Sequence, residues 1–269
     1  MTRLAAASED AGFLDALSAQ ETPLHRLDPR AKVVTTLAFA VAIASFGKHE
    51  VIPLLPFALF PVTLAAAGDV PLGYLGRRLL LVLPFVLLVG AFNPLLDTAP
   101  LAFGPYMVPG GWLSFLSILL RFALTVSAAI VLVAVTGIHG ICTALERLGV
   151  PPALVTQLLV LYRYLFVLTD EAARMERARS LRSFGRRGRG LSLAGPFLGT
   201  LLLRTWSRAE RIHLAMLSRG FTGTFRFDRT LSFDPASALF AGAWIALFVL
   251  FRAVDVPLAV GTVLSRGVS

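Results

Sequence analysis

Five apolar segments of this chain come close to the length of about 20 residues at which an α-helix crosses a lipid bilayer. The segments are Ala31–Phe46, Val51–Ala67, Leu79–Phe92, Leu113–Val135 and Pro235–Phe251. Charged residues make up only 15% of the 269 residues, whereas a soluble domain carries about 25%. Because only helices and closed barrels satisfy their backbone polar groups in lipid, we predict an all-α integral membrane protein with about five transmembrane helices.

Arginine is concentrated in one part of the chain, between the fourth and fifth apolar segments. The densest part of this run comprises Arg174, Arg177, Arg179, Arg182, Arg186, Arg187, Arg189, Arg204, Arg208, Arg211 and Arg219. Such a basic surface fits an acidic protein groove or anionic lipid. Nucleic-acid binding would need stacking aromatic residues among the basic ones. Only Phe184 interrupts the first run, so the pattern excludes a nucleic-acid partner.

Loop charges predict the orientation of the chain in the membrane. Arg26 and Arg30 precede the first segment and Lys32 lies at its start, whereas the loop 93–111 has no Lys or Arg. Because basic loops stay in the cytoplasm, we expect the N-terminus and the arginine-rich stretch to be cytoplasmic and the C-terminus to be external. Arg252 and Arg266 would then lie on the external side, against the rule.

The arginine-rich stretch has the pattern of two long amphipathic cytoplasmic helices preceded by a short one. Leucines recur at spacings of three and four after Pro151 and Pro152, which suit a helix start, and Gly220 suits a helix end. The predicted helices are Ile141–Leu148, Pro151 to a stop at Phe184–Gly185, and Leu193–Arg219, with Gly185–Gly190 as the linker. The predicted domains are residues 1–136, 137–226 and 227–269.

Ionisable residues outside the arginine runs give few further candidates. His25, His49, His139 and His213 are far apart in sequence. His139 and Cys142 could form half of a metal site, but we favour a structural role for both. Cys142 is the single cysteine and excludes an internal disulfide. Glu171 is expected to offset nearby arginines.

Three short sequences resemble the motifs of a known family. Residues Thr22-Pro23-Leu24-His25-Arg26-Leu27-Asp28-Pro29-Arg30-Ala31-Lys32 are similar to the N-terminal signature of the transmembrane T component of energy-coupling factor (ECF) importers. Ala178-Arg179-Ser180 and Ser218-Arg219-Gly220 resemble its two Ala-Arg-Gly-like triplets. The resemblance extends from about residue 20 to residue 250 and is nearest to the cobalt/nickel group, the CbiQ type.

The resemblance implies a non-catalytic subunit of an ATP-driven importer in the cell inner membrane. Two ABC-type ATPases would bind ATP and Mg, and a membrane-embedded S component would bind the substrate, with cobalt favoured and nickel or a vitamin left open. Arg179 and Arg219 would each contact acidic side chains in a groove on one ATPase. Ser180 stands where the family has glycine, so we expect the first long helix to continue past it. Neither a metal nor a cofactor is expected in this chain.

Two other classes of protein compete with this interpretation. A self-contained secondary transporter or channel with a basic lipid-binding platform would carry ionisable residues inside its spans. In the first four spans such residues are limited to Lys32, at the start of the first, and Arg121 in the fourth. A membrane enzyme or assembly factor is the third class, but the sequence has no Gly-x-x-x-x-Gly-Lys-Ser/Thr, Gly-x-Ser-x-Gly or His-Glu-x-x-His motif.

Overall fold

A computed structural model describes residues 12, 17–20, 22–96, 100–103, 106–182, 194–224 and 234–253. The chain forms two compact units. The membrane unit comprises residues 17–137 and 230–269, and the arm unit comprises residues 1–16 and 138–229. Within the described residues, the only strands form a small antiparallel hairpin in the predicted loop 93–111. Apart from this hairpin, the described secondary-structure elements are helices, which confirms the predicted all-α class.

The membrane unit consists of helices and this hairpin. Its elements are α1 (Pro23–Arg26), α2 (Pro29–Ala44), a 3₁₀ helix (Ile52–Ala58), α3 (Leu59–Ala67), α4 (Leu72–Gly90), α5 (Phe92–Leu96), β1 (Pro100–Phe103), β2 (Tyr106–Pro109), the greater part of α6 (Gly110–Arg147) and α9 (Pro235–Ala253). Aromatic rings fill the space between α2, α3 and α9. The Phe39 and Phe60 ring centroids are 4.7 Å apart, and Phe248 lies 5.4 Å from Phe39. These ring contacts fix α9 against the first helices.

Proline determines the local structure of the second apolar segment. Pro53 and Pro56 lie in the 3₁₀ helix, and Pro61 lies in the first turn of α3. Because proline cannot donate a backbone hydrogen bond, the segment begins as a tighter 3₁₀ helix and becomes α-helical only at Leu59. The predicted single helix Val51–Ala67 is thus divided in two.

Among the described residues, four helices are long and apolar enough to cross a membrane, by length and composition. They are Leu72–Pro94, Gly110–Arg147, Pro152–Arg182 and Pro235–Ala253, and Ile52–Ala67 is a shorter apolar helix. Pro152–Arg182 is the first of the two long helices that the sequence predicts to be cytoplasmic. The third predicted span therefore begins at Leu72 rather than Leu79, because Arg77 and Arg78 are accommodated in the first turns of α4. The first predicted span is the 16-residue helix α2.

A non-helical residue divides α6. Gly137 has φ 67° and ψ 158°, and the helix continues on either side of it. The predicted span Leu113–Val135 and the predicted short helix Ile141–Leu148 are therefore the two parts of α6, joined at Gly137. The boundary between the membrane unit and the arm unit falls directly after this residue.

The described part of the arm unit contains the end of α6 and two long helices. These are α7 (Pro152–Arg182) and α8 (Ala194–Ser218). They correspond to the two amphipathic helices predicted from the leucine spacing. The predicted stop at Phe184–Gly185 and the linker Gly185–Gly190 lie outside the described residues. Residues 152–169 of α7 contain Arg163 as their single charged residue, so the apolar half of this helix is its first half.

Candidate functional site

The first arginine triplet, Ala178–Ser180, lies in the last two turns of α7, and all three of its residues are exposed. The Ser180 hydroxyl donates to the Arg177 carbonyl oxygen at 2.8 Å. A serine can bond to its own helix in this way without ending it. The helix continues to Arg182, as expected for a serine in place of a glycine cap, and the Arg179 side chain extends from a helical backbone.

The second triplet, Ser218–Gly220, ends α8. Gly220 has φ 79°, which a residue without a Cβ adopts readily. The Phe221 N–H donates to the Met216 carbonyl oxygen at 3.0 Å, and the Gly220 N–H donates to Leu217 at 2.9 Å. This pair of bonds is the Schellman arrangement of a helix end. Arg219 therefore directly follows the last residue of α8, where the negative end of the helix dipole favours a cation.

Arg179 and Arg219 share one electrostatic property. Within the part of the chain that the structure describes, neither side chain has an ion-pair or hydrogen-bond partner, and both are exposed. Each guanidinium group therefore presents its full set of donors for a carboxylate on another molecule. The two arginines lie at the C-terminal ends of the two long helices of the arm unit.

Glu171 joins the two helices that carry these triplets. Its Oε1 accepts from Arg204 Nη1 of α8 at 2.9 Å, and its Oε2 accepts from Arg174 Nη2 of α7 at 2.9 Å. Arg208 Nη2 lies 3.6 Å from Oε2. These arginines lower the pKa of the Glu171 carboxyl below its usual value. The sequence predicted that Glu171 offsets nearby arginines, and Arg174 is one of these; the contacts with Arg204 and Arg208 depend on which face of α8 meets α7.

An apolar groove of about 730 Å³ runs between α7 and α8. Leucines of the first half of α7 and apolar residues of α8 form its walls, among them Leu161, Leu165, Trp206, Ile212 and Met216. Leu161 is 60% exposed and Trp206 is 66% exposed. An exposed apolar surface of this kind marks a contact with lipid or with an apolar protein face.

The N-terminal signature is folded into the membrane unit. His25 Nε2 lies 3.1 Å from the Leu17 carbonyl oxygen, and Nδ1 lies 2.7 Å from Thr22 Oγ1. The Asp28 carboxylate accepts from the Arg30 N–H at 2.9 Å and so caps α2. The Asp28 N–H donates to Ser237 Oγ of α9 at 2.9 Å. The signature therefore joins the first and last helices of this unit.

The other ionisable candidates have structural contacts or lie apart. Arg121 donates to the Gly47 carbonyl oxygen, and Ser114 Oγ lies 3.1 Å from His49 Nδ1. Among the described residues, no group of three or more His, Cys, Asp or Glu side chains is arranged to hold a metal ion. His139 and Cys142 belong to no such group.

A family model described as cobalt transport protein, CbiQ, matches residues 20–229 of this chain. The match includes the N-terminal signature and both arginine triplets. It ends before α9.

Individual proteins similar to this chain come from bacteria and archaea. The cobalt transport protein CbiQ of Rhodobacter capsulatus is 29% identical over 203 residues, which cover 75% of this chain and 79% of that protein. The energy-coupling factor transporter transmembrane protein EcfT of Heliobacterium modesticaldum is 27% identical over 223 residues, covering 76% and 81%. An uncharacterised protein of Methanocaldococcus jannaschii is 27% identical over 242 residues, covering 85% and 82%.

Proposed function

Because the chain belongs to the CbiQ family of cobalt transport proteins, we propose that it is the T component of an ECF-type importer and moves cobalt(II). In this role it binds two ABC-type ATPases and a membrane-embedded S component, and it catalyses no reaction itself. ATP and Mg are bound by the ATPases, and the cobalt ion by the S component. The observation that carries the proposal is the pair of exposed arginines at the ends of α7 and α8, neither of which has an ion-pair or hydrogen-bond partner among the described residues.

The helix ends explain how the arginines would couple to a motor. A guanidinium group keeps its charge and matches a carboxylate with two parallel hydrogen bonds. Arg179 extends from a continuous helix, and Arg219 lies at a helix end that is fixed by two backbone hydrogen bonds. A force on either arginine would therefore move its whole helix as a rigid body. Glu171 of α7 joins the two helices through its hydrogen bond with Arg204 of α8. Closure of the ATPases would therefore move α7 and α8 together.

Exposed apolar residues outside the groove supply the second contact that the function needs. An S component is itself a membrane protein, so its accessible surfaces are largely apolar. Leu154 of α7 and Leu214 of α8, which are 57% and 62% exposed and do not line the groove, suit such a partner. Movement of α7 and α8 would then reach the S component directly.

The distribution of charge suggests both the orientation of the chain in the membrane and its contacts with lipid. We place the N-terminus, α7 and α8 on the cytoplasmic side and the C-terminus outside, because the basic loops lie on one side of the predicted spans. The linker arginines Arg186, Arg187 and Arg189, which the triplets do not use and which lie outside the described residues, would contact anionic lipid at that surface.

The decisive experiment compares two arginine substitutions with a matched control. Arg179→Ala and Arg219→Ala should each weaken the co-purification of the ATPases and reduce cobalt uptake in cells that express the full importer. Truncation of a buried interface arginine costs about 2–5 kcal/mol, which corresponds to at least a thirtyfold loss of affinity. Arg182→Ala removes the same charge from the same end of α7 and should leave both measurements within twofold of the parent chain.

Normal ATPase binding and normal uptake in the Arg179→Ala/Arg219→Ala double variant would refute the coupling role. Uptake that persists when the ATPases are deleted would instead support a self-contained transporter. Competition of labelled cobalt uptake by nickel or by a vitamin would identify the substrate.

A further inference from the structure

A second cavity lies beside the groove, on the face of α7 and α8 that carries Glu171. It has a volume of about 410 Å³. Its walls include Leu168 and Glu171 of α7 and Leu203, Arg204, Arg208 and Arg211 of α8. Neither arginine triplet takes part in it, so this cavity is separate from the proposed ATPase contacts.

The charges around the cavity do not balance. Among the described residues that line it, Glu171 is the single carboxylate. This carboxylate faces Arg174, Arg204 and Arg208 within 3.6 Å, whereas Arg211 has no partner among the described residues. Glu210 is the nearest other acid on α8, and its Oε1 accepts from Trp206 Nε1 at 2.9 Å. Four arginines and one carboxylate leave three positive charges, which attract an anion.

The cavity continues into the apolar groove. Leu168, Thr205 and Arg208 line both spaces. The arginines therefore stand at one end of a groove whose walls are Leu161, Leu165 and other apolar residues. A free phosphate would use only the basic end. A ligand that fills both spaces has an anionic head and an apolar tail.

The cavity also lies at the polarity boundary of α7. Residues 152–169 contain one charged residue, whereas residues 170–182 contain seven, beginning with Asp170 and Glu171. On a membrane-associated helix this boundary marks the level of the lipid headgroups. Leu168 and Glu171, which lie on either side of the boundary, both line the cavity.

We propose that this cavity binds the phosphodiester headgroup of an anionic phospholipid, with an acyl chain of the same lipid in the groove. Arg208 and Arg211 bind the phosphodiester oxygens, while Arg204 remains paired with Glu171. Leu168 and Leu203 contact the glycerol region. The lipid thus occupies a defined site between α7 and α8 rather than a diffuse basic surface.

Trp206 provides a direct probe because its indole lines the groove. The full chain, with Trp112→Phe and Trp244→Phe, would be titrated in neutral detergent micelles with phosphatidylglycerol carrying brominated acyl chains. Bromine quenches indole fluorescence only on close approach. We expect saturable quenching of Trp206 by this lipid and much weaker quenching by brominated phosphatidylcholine.

Two double variants separate a site from a diffuse charge effect. Each arginine near an anionic lipid contributes roughly fivefold in affinity. Arg208→Gln with Arg211→Gln should therefore raise the lipid concentration for half-maximal quenching by about twenty-five-fold. Arg177→Gln with Arg182→Gln removes the same charge from the exposed end of α7 and should leave it unchanged.

Several results would overturn the proposal. Equal weakening by the two double variants would show diffuse attraction, and equal quenching by the two lipids would show that the headgroup is not recognised. Loss of quenching on addition of inorganic phosphate at low millimolar concentration would show that the acyl chain contributes no affinity. Absence of quenching, together with a shift of Trp206 emission when the S component is added, would assign the groove to a protein.

Discussion

Replacement of Gly137 by alanine should be among the most destabilising single-methyl additions in the membrane unit, because two independent costs coincide there. The residue has φ 67° and ψ 158° in the middle of α6, a backbone region that is essentially restricted to glycine. A Cβ at this position would also lie 2.9 Å from Ser18 Oγ and 3.1 Å from Ser18 Cβ. The segment that contains Ser18 would have to move.

The magnitude follows from these two costs. A residue held in such a backbone region costs about 1–3 kcal/mol, and overpacking costs about 1–3 kcal/mol. Gly137→Ala should therefore lower the free energy of unfolding by about 2–6 kcal/mol.

Two other glycines provide matched controls. At Gly68 a Cβ would lie 2.6 Å from Val135 Cγ2, but the backbone φ is negative, so only the packing cost applies. At Gly76, within α4, nothing lies within 4 Å of the added Cβ. Gly76→Ala should stabilise the chain by about 0.4–1 kcal/mol through the unfolded state.

The assay is denaturant titration of the full chain in mixed micelles, followed by tryptophan fluorescence. We expect the free energy of unfolding to decrease in the order Gly76→Ala, parent, Gly68→Ala, Gly137→Ala. If Gly137→Ala were no more destabilising than Gly68→Ala, the backbone at residue 137 would be free to become helical, and the reasoning would be wrong.

Three further predictions concern charged side chains. The arginine partners of Glu171 lower the pKa of its carboxyl below the usual 4.5. Its ion pairs should therefore be complete above pH 4.5 and be lost as the pH falls through the lowered pKa. Trp206 emission should follow this loss in the parent chain but not in Glu171→Gln. Burial, reinforced by Lys32, lowers the pKa of His25 below 6.5, so the neutral ring is favoured on folding and stability should fall as the pH drops below 6.5. In denaturant titrations, the free energy of unfolding of the parent chain should be lower at pH 5.5 than at pH 7.5. His25→Gln should abolish this difference between the two pH values, even if it changes the stability at pH 7.5. Arg252→Gln should cost about 1 kcal/mol in the same titration, because Arg252 Nε donates to Ser45 Oγ at 3.2 Å.

The sequence predicted the helical class and the two long helices of the arm unit because these depend on local patterns. Apolar length and leucine spacing are properties of consecutive residues. Gly220 was predicted as a helix end for the same reason, since glycine at this position relieves a strain that every other residue would carry. The structure confirms this end through two backbone hydrogen bonds.

The cross-helix contacts of Glu171 could not be predicted in the same way. Arg204 lies 33 positions further along the chain, and α8 carries three arginines, Arg204, Arg208 and Arg211, at spacings of four and three on one face. Which of them meets Glu171 depends on how α8 crosses α7, and this crossing is set by tertiary packing. The start of α4 was misplaced for a related reason, since long arginine side chains can leave an apolar helix near its end and reach water.

A contact between helices also explains why an arginine, Arg252, lies on the predicted external side of the membrane. On the predicted topology this arginine lies on the external side, where the positive-inside rule disfavours it. In the membrane unit its guanidinium group stands 4.7 Å from the centroid of the Phe46 ring, and Nη2 donates to the Ser45 carbonyl oxygen at 3.4 Å. Ser45 is the C-cap of α2, and a cation at a helix C-terminus interacts favourably with the dipole. These contacts hold α9 to α2 and give Arg252 a structural role, so its position does not argue against a cytoplasmic location for α7 and α8.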